Sequence, residues 1–346
     1  MIHRLVLLSL LFTLVFSACG SEPERVQALR VMTHDSFAVS DDVVAAFEDQ
    51  YDVKVEFLAS GDTGAALNKA ILSAGNPIAD VFYGVDNTYL SRALDEGIFE
   101  PYESPMLADI PLEFQLDPEY RALPVDYGDV CINYDVAYFA EIFLKPPSGL
   151  EGLLKPEYNG MLVVQDPATF SPGLAFLLAT IAHFGEDGYL DYWRGLVENG
   201  LLVVSDWESA YYTEFSYWGG TRPLVISYSS SPAFEFVFAE SPLEEEPTGA
   251  VLDAGTCFRQ IEFAGILTGT QNRQLAEKWI DFMLSPTFQE DVLSKMAVYP
   301  VVPDTPIPED FIDHLAIPEH PAALDPGYIA ENRDAWVTAW REVVLR

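Results

Sequence analysis

The sequence predicts an α/β protein of about two domains with a doubly wound sheet. Three observations carry that reading. Short apolar runs alternate with amphipathic stretches from Leu29 onward, the pattern of strands joined by helices. The 346 residues are 49% apolar and 13% aromatic, enough for a large core, and the length suits domains of roughly 100–200 residues. Only three cysteines occur, which excludes a disulfide-dense scaffold or a Cys-rich metal module.

Taken in order, the elements begin behind a leader. His3 and Arg4 precede an apolar run from Leu5 to Phe16 that is too short to anchor in a bilayer alone. Residues 1–18 therefore read as a secretory signal. Phe16-Ser17-Ala18-Cys19-Gly20 resembles a bacterial lipobox with Phe in place of the usual Leu. On that reading Cys19 is lipidated and residues 19–25 form a tether to the membrane. Ordinary cleavage after Ala18 is the alternative.

Leu29–Met32 reads as a strand. Ser40 is placed to cap a helix bearing Val43, Val44 and Phe47. Val53–Phe57 alternates with period two, as a strand does. Gly61-Asp62-Thr63-Gly64 leads into a helix over 65–73, followed by a strand at Asp80–Gly84 and a helix over 89–96. Met161–Gln165 is a strand ended by Asp166-Pro167, and Pro172 opens an apolar helix over 173–184. Further on come a strand at Leu201–Val204, a helix over 207–217 and a strand at Leu224–Ser227. The end holds an apolar run at Ile261–Leu267, a helix over 275–284, a proline-rich irregular stretch over 300–326 and a helix over 330–345. Trp336 and Trp340 stand at i, i+4 on one face of that last helix. Cys131 and Cys257 either pair, which export permits, or remain two small buried thiols.

Composition narrows the function. With 54 acidic and 18 basic residues the formal charge is −36, which argues against nucleic-acid binding and against electrostatic attachment to anionic lipid. No GxSxG, HExxH, P-loop or EF-hand pattern is present, and the five histidines have no metal-ligand spacing. An exported α/β chain without a catalytic signature suggests a binding protein with a cleft at the carboxyl ends of its strands.

Several segments closely resemble the thiamine-binding proteins of bacterial ABC importers. They include Thr33-His34-Asp35-Ser36-Phe37, Val85-Asp86-Asn87, Val125-Asp126-Tyr127-Gly128, Gln165-Asp166-Pro167 and Ser171-Pro172-Gly173-Leu174. Trp207-Glu208-Ser209-Ala210-Tyr211, Ser227-Tyr228-Ser229-Ser230-Ser231-Pro232-Ala233, Leu284-Ser285-Pro286-Thr287-Phe288-Gln289 and Tyr299-Pro300-Val301 follow in the family's order. Asp-Tyr-Gly and Ser-Pro-x-Phe-Gln are shared with the wider periplasmic-binding group, which includes ferric-ion and polyamine binders. The tryptophan and Ser-Tyr segments point more narrowly to thiamine.

The resemblance implies a two-lobed type II, or Venus flytrap, fold with two chain crossings. The crossings are expected near Tyr127–Asp129 and Gly255–Phe258. The first lobe would comprise 26–127 and 258–346, and the second 129–256. The resemblance further implies a lipoprotein, without catalytic residues, cofactor or resident metal. It would act as a monomer that delivers thiamine or a thiamine phosphate to a membrane permease.

The ligand residues it suggests are Asp35, Ser36, Asp86, Asp126, Tyr127, Trp207, Tyr211, Tyr228 and Ser229. Gly61 and Thr63, and Ser171 and Gly173, would supply backbone nests for a phosphate. Two positions depart from the family, which often has tyrosine at His34 and tryptophan just before Tyr-Pro-Val, where this chain has Met296-Ala297-Val298. A ferric-ion binder using the adjacent Tyr211 and Tyr212 is the alternative within transport. An exported thiamine-degrading enzyme with Cys131 or Cys257 as nucleophile is the alternative outside it.

Overall fold

A computed structural model describes residues 27–346. The secretory signal, Cys19 and the tether lie outside the described residues. The chain builds one curled mixed sheet flanked by helices. The amino-terminal part runs β1 (Gln27–Thr33), α1 (Asp41–Tyr51), β2 (Val53–Ala59), α2 (Thr63–Leu72), β3 (Val81–Asp86), α3 (Leu90–Asp95) and β4 (Phe99–Glu100). The long β5 (Leu123–Asp135) follows, then α4 (Val136–Glu141), α5 (Gly149–Gly152), β6 (Leu162–Gln165), α6 (Ser171–Glu198), β7 (Leu202–Val204) and β8 (Leu224–Tyr228). The remainder is α7 (Ser231–Val237), β9 (Thr248–Val251), β10 (Phe258–Leu267), α8 (Arg273–Met283), α9 (Pro286–Met296), β11 (Tyr299–Pro300), α10 (Glu309–Ile312) and α11 (Pro326–Val344).

The strand order is β2-β1-β3-β10-β5-β8-β6-β7, with β4, β9 and β11 pairing to its side. β1 lies parallel to β2 and β3, and β6 lies parallel to β7 and β8. β10 and β5 are antiparallel neighbours that join these two parallel groups. β5 pairs with β10 over its first half and with β8 and β9 over its second. The strand therefore passes unbroken from one half of the sheet to the other, and each half forms the floor of a lobe.

The expected strands and helices form close to the expected places, with three corrections. Ser40 precedes α1 but does not cap it: its hydroxyl donates to Asp291 Oδ1 at 2.6 Å, tying α1 to α9. The apolar helix predicted to stop at 184 continues to Glu198, with one break at Gly185, whose φ of 69° interrupts the helical course. The segment predicted as a helix over 207–217 is a wide π-helical turn, Ser209–Glu214, followed by a 3₁₀ turn at Ser216–Trp218. Asp206 holds its start, accepting from the Ser209 N–H at 2.7 Å. The last helix, α11, packs on both α6 and the start of α3. Trp340 packs edge-on against Trp193 of α6 at 5.4 Å, while Arg333 sits over the Tyr89 ring beside α3 at 4.9 Å.

Cys131 and Cys257 form a disulfide, so neither is a free thiol. It staples β5 to the chain entering β10. Beside it, Arg259 makes a two-pronged ion pair with the fully buried Asp129, at 3.0 and 2.9 Å. The two strands that cross between the lobes are thus fastened covalently and ionically at one level.

Candidate functional site

The carboxyl ends of the parallel strands from both lobes converge on one cavity of about 460 Å³. β1 delivers His34, Asp35 and Ser36, and β2 delivers Asp62 and Thr63. Phe170 and Ser171 follow β6, Asp206 and Trp207 follow β7, and Tyr228 ends β8. The antiparallel β10 adds Gln260 and Glu262, and the turn after α9 adds Met296, Ala297 and Val298. This convergence is the general consequence of a parallel sheet with helices on its faces, which leaves the strand ends open.

The wall has a distinct chemistry. Asp35, Asp62, Asp206, Glu208, Glu235 and Glu262 supply carboxyls, against one lysine, Lys295, and one histidine, His34. Six aromatic rings face it: Phe170, Trp207, Tyr211, Tyr212, Tyr228 and Phe234. Trp207 and Tyr211 stack at 4.8 Å and 12°, and the Trp207 N–H donates to Ser227 Oγ at 3.1 Å. Four buried polar atoms on the wall make no close hydrogen bond: His34 Nε2, which faces Glu262, Ser171 Oγ, which faces Asp86, the Tyr211 hydroxyl, which faces Glu235, and Gln260 Oε1. Buried polar atoms are ordinarily paired, so this set is suited to a polar ligand. Acidic groups and ring faces together favour an organic cation.

Beneath the wall lies a buried polar cluster. His34 Nε2 is 3.3 Å from Glu262 Oε1. Burial lowers the His34 pKa, but the charge and hydrogen bond of Glu262, helped by Asp86 and Asp35, outweigh it and raise it overall. The Tyr83 hydroxyl lies 2.6 Å from Asp126 Oδ2 and 2.9 Å from Glu262 Oε2. Burial, reinforced by the Glu262 charge, pushes Asp126 well above the carboxylate range. Burial also opposes ionisation of Glu262, but His34 prevails and keeps it below its usual value. Burial and mutual repulsion thus favour the neutral form of Asp126, and His34 favours the charged form of Glu262.

The sequence pattern of the bacterial extracellular solute-binding proteins matches residues 76–316. The chain belongs to that family. It is 31% identical to the thiamine-binding periplasmic protein of Brucella suis biovar 1, over 98% of this chain and 99% of that one. It is 30% identical to the thiamine-binding periplasmic protein of Escherichia coli K12, over 92% and 94%. Among solved structures, a periplasmic thiamin binding protein superposes with a TM-score of 0.81 at 28% identity, covering 94% of this chain and 98% of that one. The ferric binding protein of Campylobacter jejuni superposes with a TM-score of 0.75 at 19% identity, over 91% and 99%, which extends the likeness of fold. The two-lobed periplasmic-binding fold expected from the sequence is therefore the fold of this solute-binding protein.

The suggested site residues divide into two groups. Asp35, Ser36, Thr63, Ser171, Trp207, Tyr211 and Tyr228 line the cavity. Asp86, Asp126, Tyr127, Ser229, Gly61 and Gly173 do not. Tyr127 faces away because side chains alternate along β5. It stacks on Phe114 at 4.9 Å and lies under Arg259 at 4.7 Å. Asp126 points the other way but is fully buried in the polar cluster. Its neighbour Gly128 earns its place in Asp-Tyr-Gly by contact, because a Cβ there would lie 2.7 Å from the Tyr228 ring. Ser229, next to Tyr228, is fully buried and turned from the cavity, and its N–H donates to the Asp129 carbonyl at 2.8 Å.

Asp86 lies buried below the cavity and accepts the Thr88 N–H at 2.8 Å, a local turn contact. The expected phosphate nest before α2 is already filled: Asp35 takes the Gly61 N–H at 2.8 Å and Asp62 takes the Ala65 N–H at 2.7 Å. Two carboxylates at that helix start oppose a phosphate. Gly173 is a packing residue, since its Cβ would lie 2.4 Å from the Gln165 carbonyl oxygen on β6. Gly173→Ala is expected to lower stability by about 1–3 kcal/mol, read from the urea midpoint, because helix and strand must part.

Sequence reasoning missed Glu235, Gln260, Glu262, Phe170 and Phe234. Glu262 sits inside, and Gln260 just before, an apolar run that reads as plain core, and nothing local marks them. His34 and Ala297, named as departures, both line the cavity. Among the described residues no group of three or more His, Cys, Asp or Glu is placed to hold a metal ion.

Proposed function

We propose that this protein captures thiamine in the cavity between its lobes and passes it to the permease of an ABC importer, without a catalytic step. The cavity wall carries the reading: six carboxyls and six aromatic rings face one lysine. Thiamine joins a flat aminopyrimidine to a cationic thiazolium. Ring faces suit both halves, and the carboxyls suit the charge. Gln260 Oε1, a carbonyl acceptor without a close protein donor, suits the amine of the pyrimidine edge. The curated relatives quoted above are named for thiamine binding, which supports the same ligand.

Export through the leader at 1–18 and lipidation at Cys19 complete the proposal, placing the protein at the outer face of the cytoplasmic membrane. Hinge motion about β5 and the start of β10 would open and close the cleft. The ferric reading draws less support. Tyr211 and Tyr212 both line the cavity, but burial raises both phenols, which disfavours phenolate ligands. The enzyme reading lacks its nucleophile among the described residues, since Cys131 and Cys257 are bonded to each other.

Calorimetric titration of the mature chain decides the matter. Thiamine is expected to bind one-to-one, and thiamine monophosphate more weakly, because the α2 start is occupied by Asp35 and Asp62. No heat with thiamine, together with a charge-transfer band on iron loading, would replace the proposal by the ferric reading.

A further inference from the structure

The carboxyls on the cavity wall are not equivalent. Asp35, Asp62 and Asp206 accept backbone N–H bonds from Gly61, Ala65 and Ser209. Glu262 is paired with His34. Glu208 is exposed to solvent. Glu235, on α7, is different: it is partly buried on the cavity wall and forms an ion pair with no described residue.

Its surroundings are aromatic. The Tyr211 hydroxyl and the Trp218 indole lie against it. Trp207 and Tyr211 stack face to face, and Tyr212 stands edge-on to both, at 5.3 and 5.4 Å. Trp218 meets Tyr212 at 5.4 Å. The Tyr211 hydroxyl is fully buried, with the Glu235 carboxyl and Ser231 as the polar groups that face it. Rings set at right angles around a carboxyl make a site for a delocalised or quaternary cation, which takes ring faces and a counter-ion together.

We infer that Glu235, walled by Trp207, Tyr211 and Tyr212, is the counter-ion for the ligand's positive charge and sets the preference for an organic cation over its uncharged analogue. The inference rests on the proposed thiamine reading and assigns the thiazolium to the second lobe. A single charge in a half-buried aromatic setting discriminates strongly, because attraction to it is weakly screened.

The assignment has a proton consequence. Burial raises the Glu235 carboxyl to about 7, against weaker lowering by Tyr211 and Trp218. The titratable groups facing the cavity beside it are Tyr211, Tyr212, Asp206 and Glu208, with Tyr217 close to its charge, and burial raises the pKa of all three phenols. Lys295 and the His34–Glu262 pair face the cavity from the other side. A bound cation favours the ionised carboxylate. Binding below pH 7 therefore expels a proton from Glu235, and affinity falls with acidification.

The test is titration of the mature wild-type chain and Glu235→Gln with thiamine at pH 6 and 8, in buffers of different protonation enthalpy. The uncharged aminopyrimidine half, 4-amino-5-hydroxymethyl-2-methylpyrimidine, serves as the control ligand. Wild type is expected to bind thiamine about tenfold more tightly at pH 8 than at pH 6, releasing nearly one proton per ligand at pH 6. Glu235→Gln is expected to bind it about tenfold more weakly at pH 8 and to lose both pH dependence and proton release. The pyrimidine half should bind both proteins alike. Equal wild-type affinity at the two pH values, or a wild-type profile retained in Glu235→Gln, overturns the inference while thiamine capture stands. Absence of thiamine binding by wild type at either pH overturns the functional proposal and the inference together. Should the variant fold poorly, a wild-type protein that binds thiamine with no pH dependence and no proton release still overturns the inference.

Discussion

Removal of the Cys131–Cys257 disulfide, by Cys131→Ala with Cys257→Ala, is expected to destabilise the protein by about 3–5 kcal/mol. The two cysteines are 126 residues apart in sequence. Their bond therefore closes a loop that contains β6 to β9, and the open chain gains most conformational freedom when so long a loop is released. The chain-entropy account gives about 4.7 kcal/mol for a loop of roughly 100 residues. Both sulfurs are fully buried, so little of the loss is regained by hydration in the folded state. The measurement is the urea midpoint of wild type against the double variant, with slopes compared. A change below about 1 kcal/mol would mean that the lobes fold with no benefit from the staple.

Arg259→Met is expected to cost a similar amount, about 3–5 kcal/mol near neutral pH. Arg259 neutralises Asp129, which is fully buried on β5, through two hydrogen bonds and also covers the Tyr127 ring. Methionine keeps much of the volume but leaves a buried carboxylate alone. Burial already raises the Asp129 pKa despite the arginine, and without it the shift grows. The sign follows: an acid whose folded pKa is raised is penalised above that pKa and relieved below it. The deficit of the variant should therefore shrink as pH falls from 7 to 4. A deficit that stays constant over that range would show that lost packing, not the stranded charge, is responsible. Because Asp129 and Arg259 stand where β5 and β10 cross between the lobes, the variant is also expected to weaken ligand closure.

These two predictions rest on contacts that local sequence does not announce. Arg259 and Asp129 are 130 positions apart, and only the antiparallel register of β5 and β10 makes them partners. Likewise Cys131 and Cys257 were two open possibilities in the sequence and one bond in the fold. The nine segments that resemble thiamine-binding proteins brought Trp207, Tyr211 and Tyr228 to notice, and all three reach the cavity. They also brought Asp126 and Tyr127, which do not. A motif marks a stretch of chain, whereas the alternation of a strand decides which of two neighbours faces the cleft. Glu235 escaped for the opposite reason. It stands in a short helix beside phenylalanines and looks like a solvated charge until the 209–218 turns fold over it.

What the sequence determined by itself is the alternation of strand and helix, because period-two and period-3.6 patterns act over a few neighbouring residues. It also determined the acidic, aromatic character that suits the proposed cationic ligand, because composition survives any folding. The tertiary structure decided which carboxyls are free to meet that cation. Asp35 and Asp62 are occupied by backbone N–H groups, Asp126 is buried against the Tyr83 hydroxyl, Glu262 is matched to His34, and Glu235 is left facing the cavity. The charge and availability of a carboxyl depend on burial and on partners tens to hundreds of residues away, and only the folded chain brings those together.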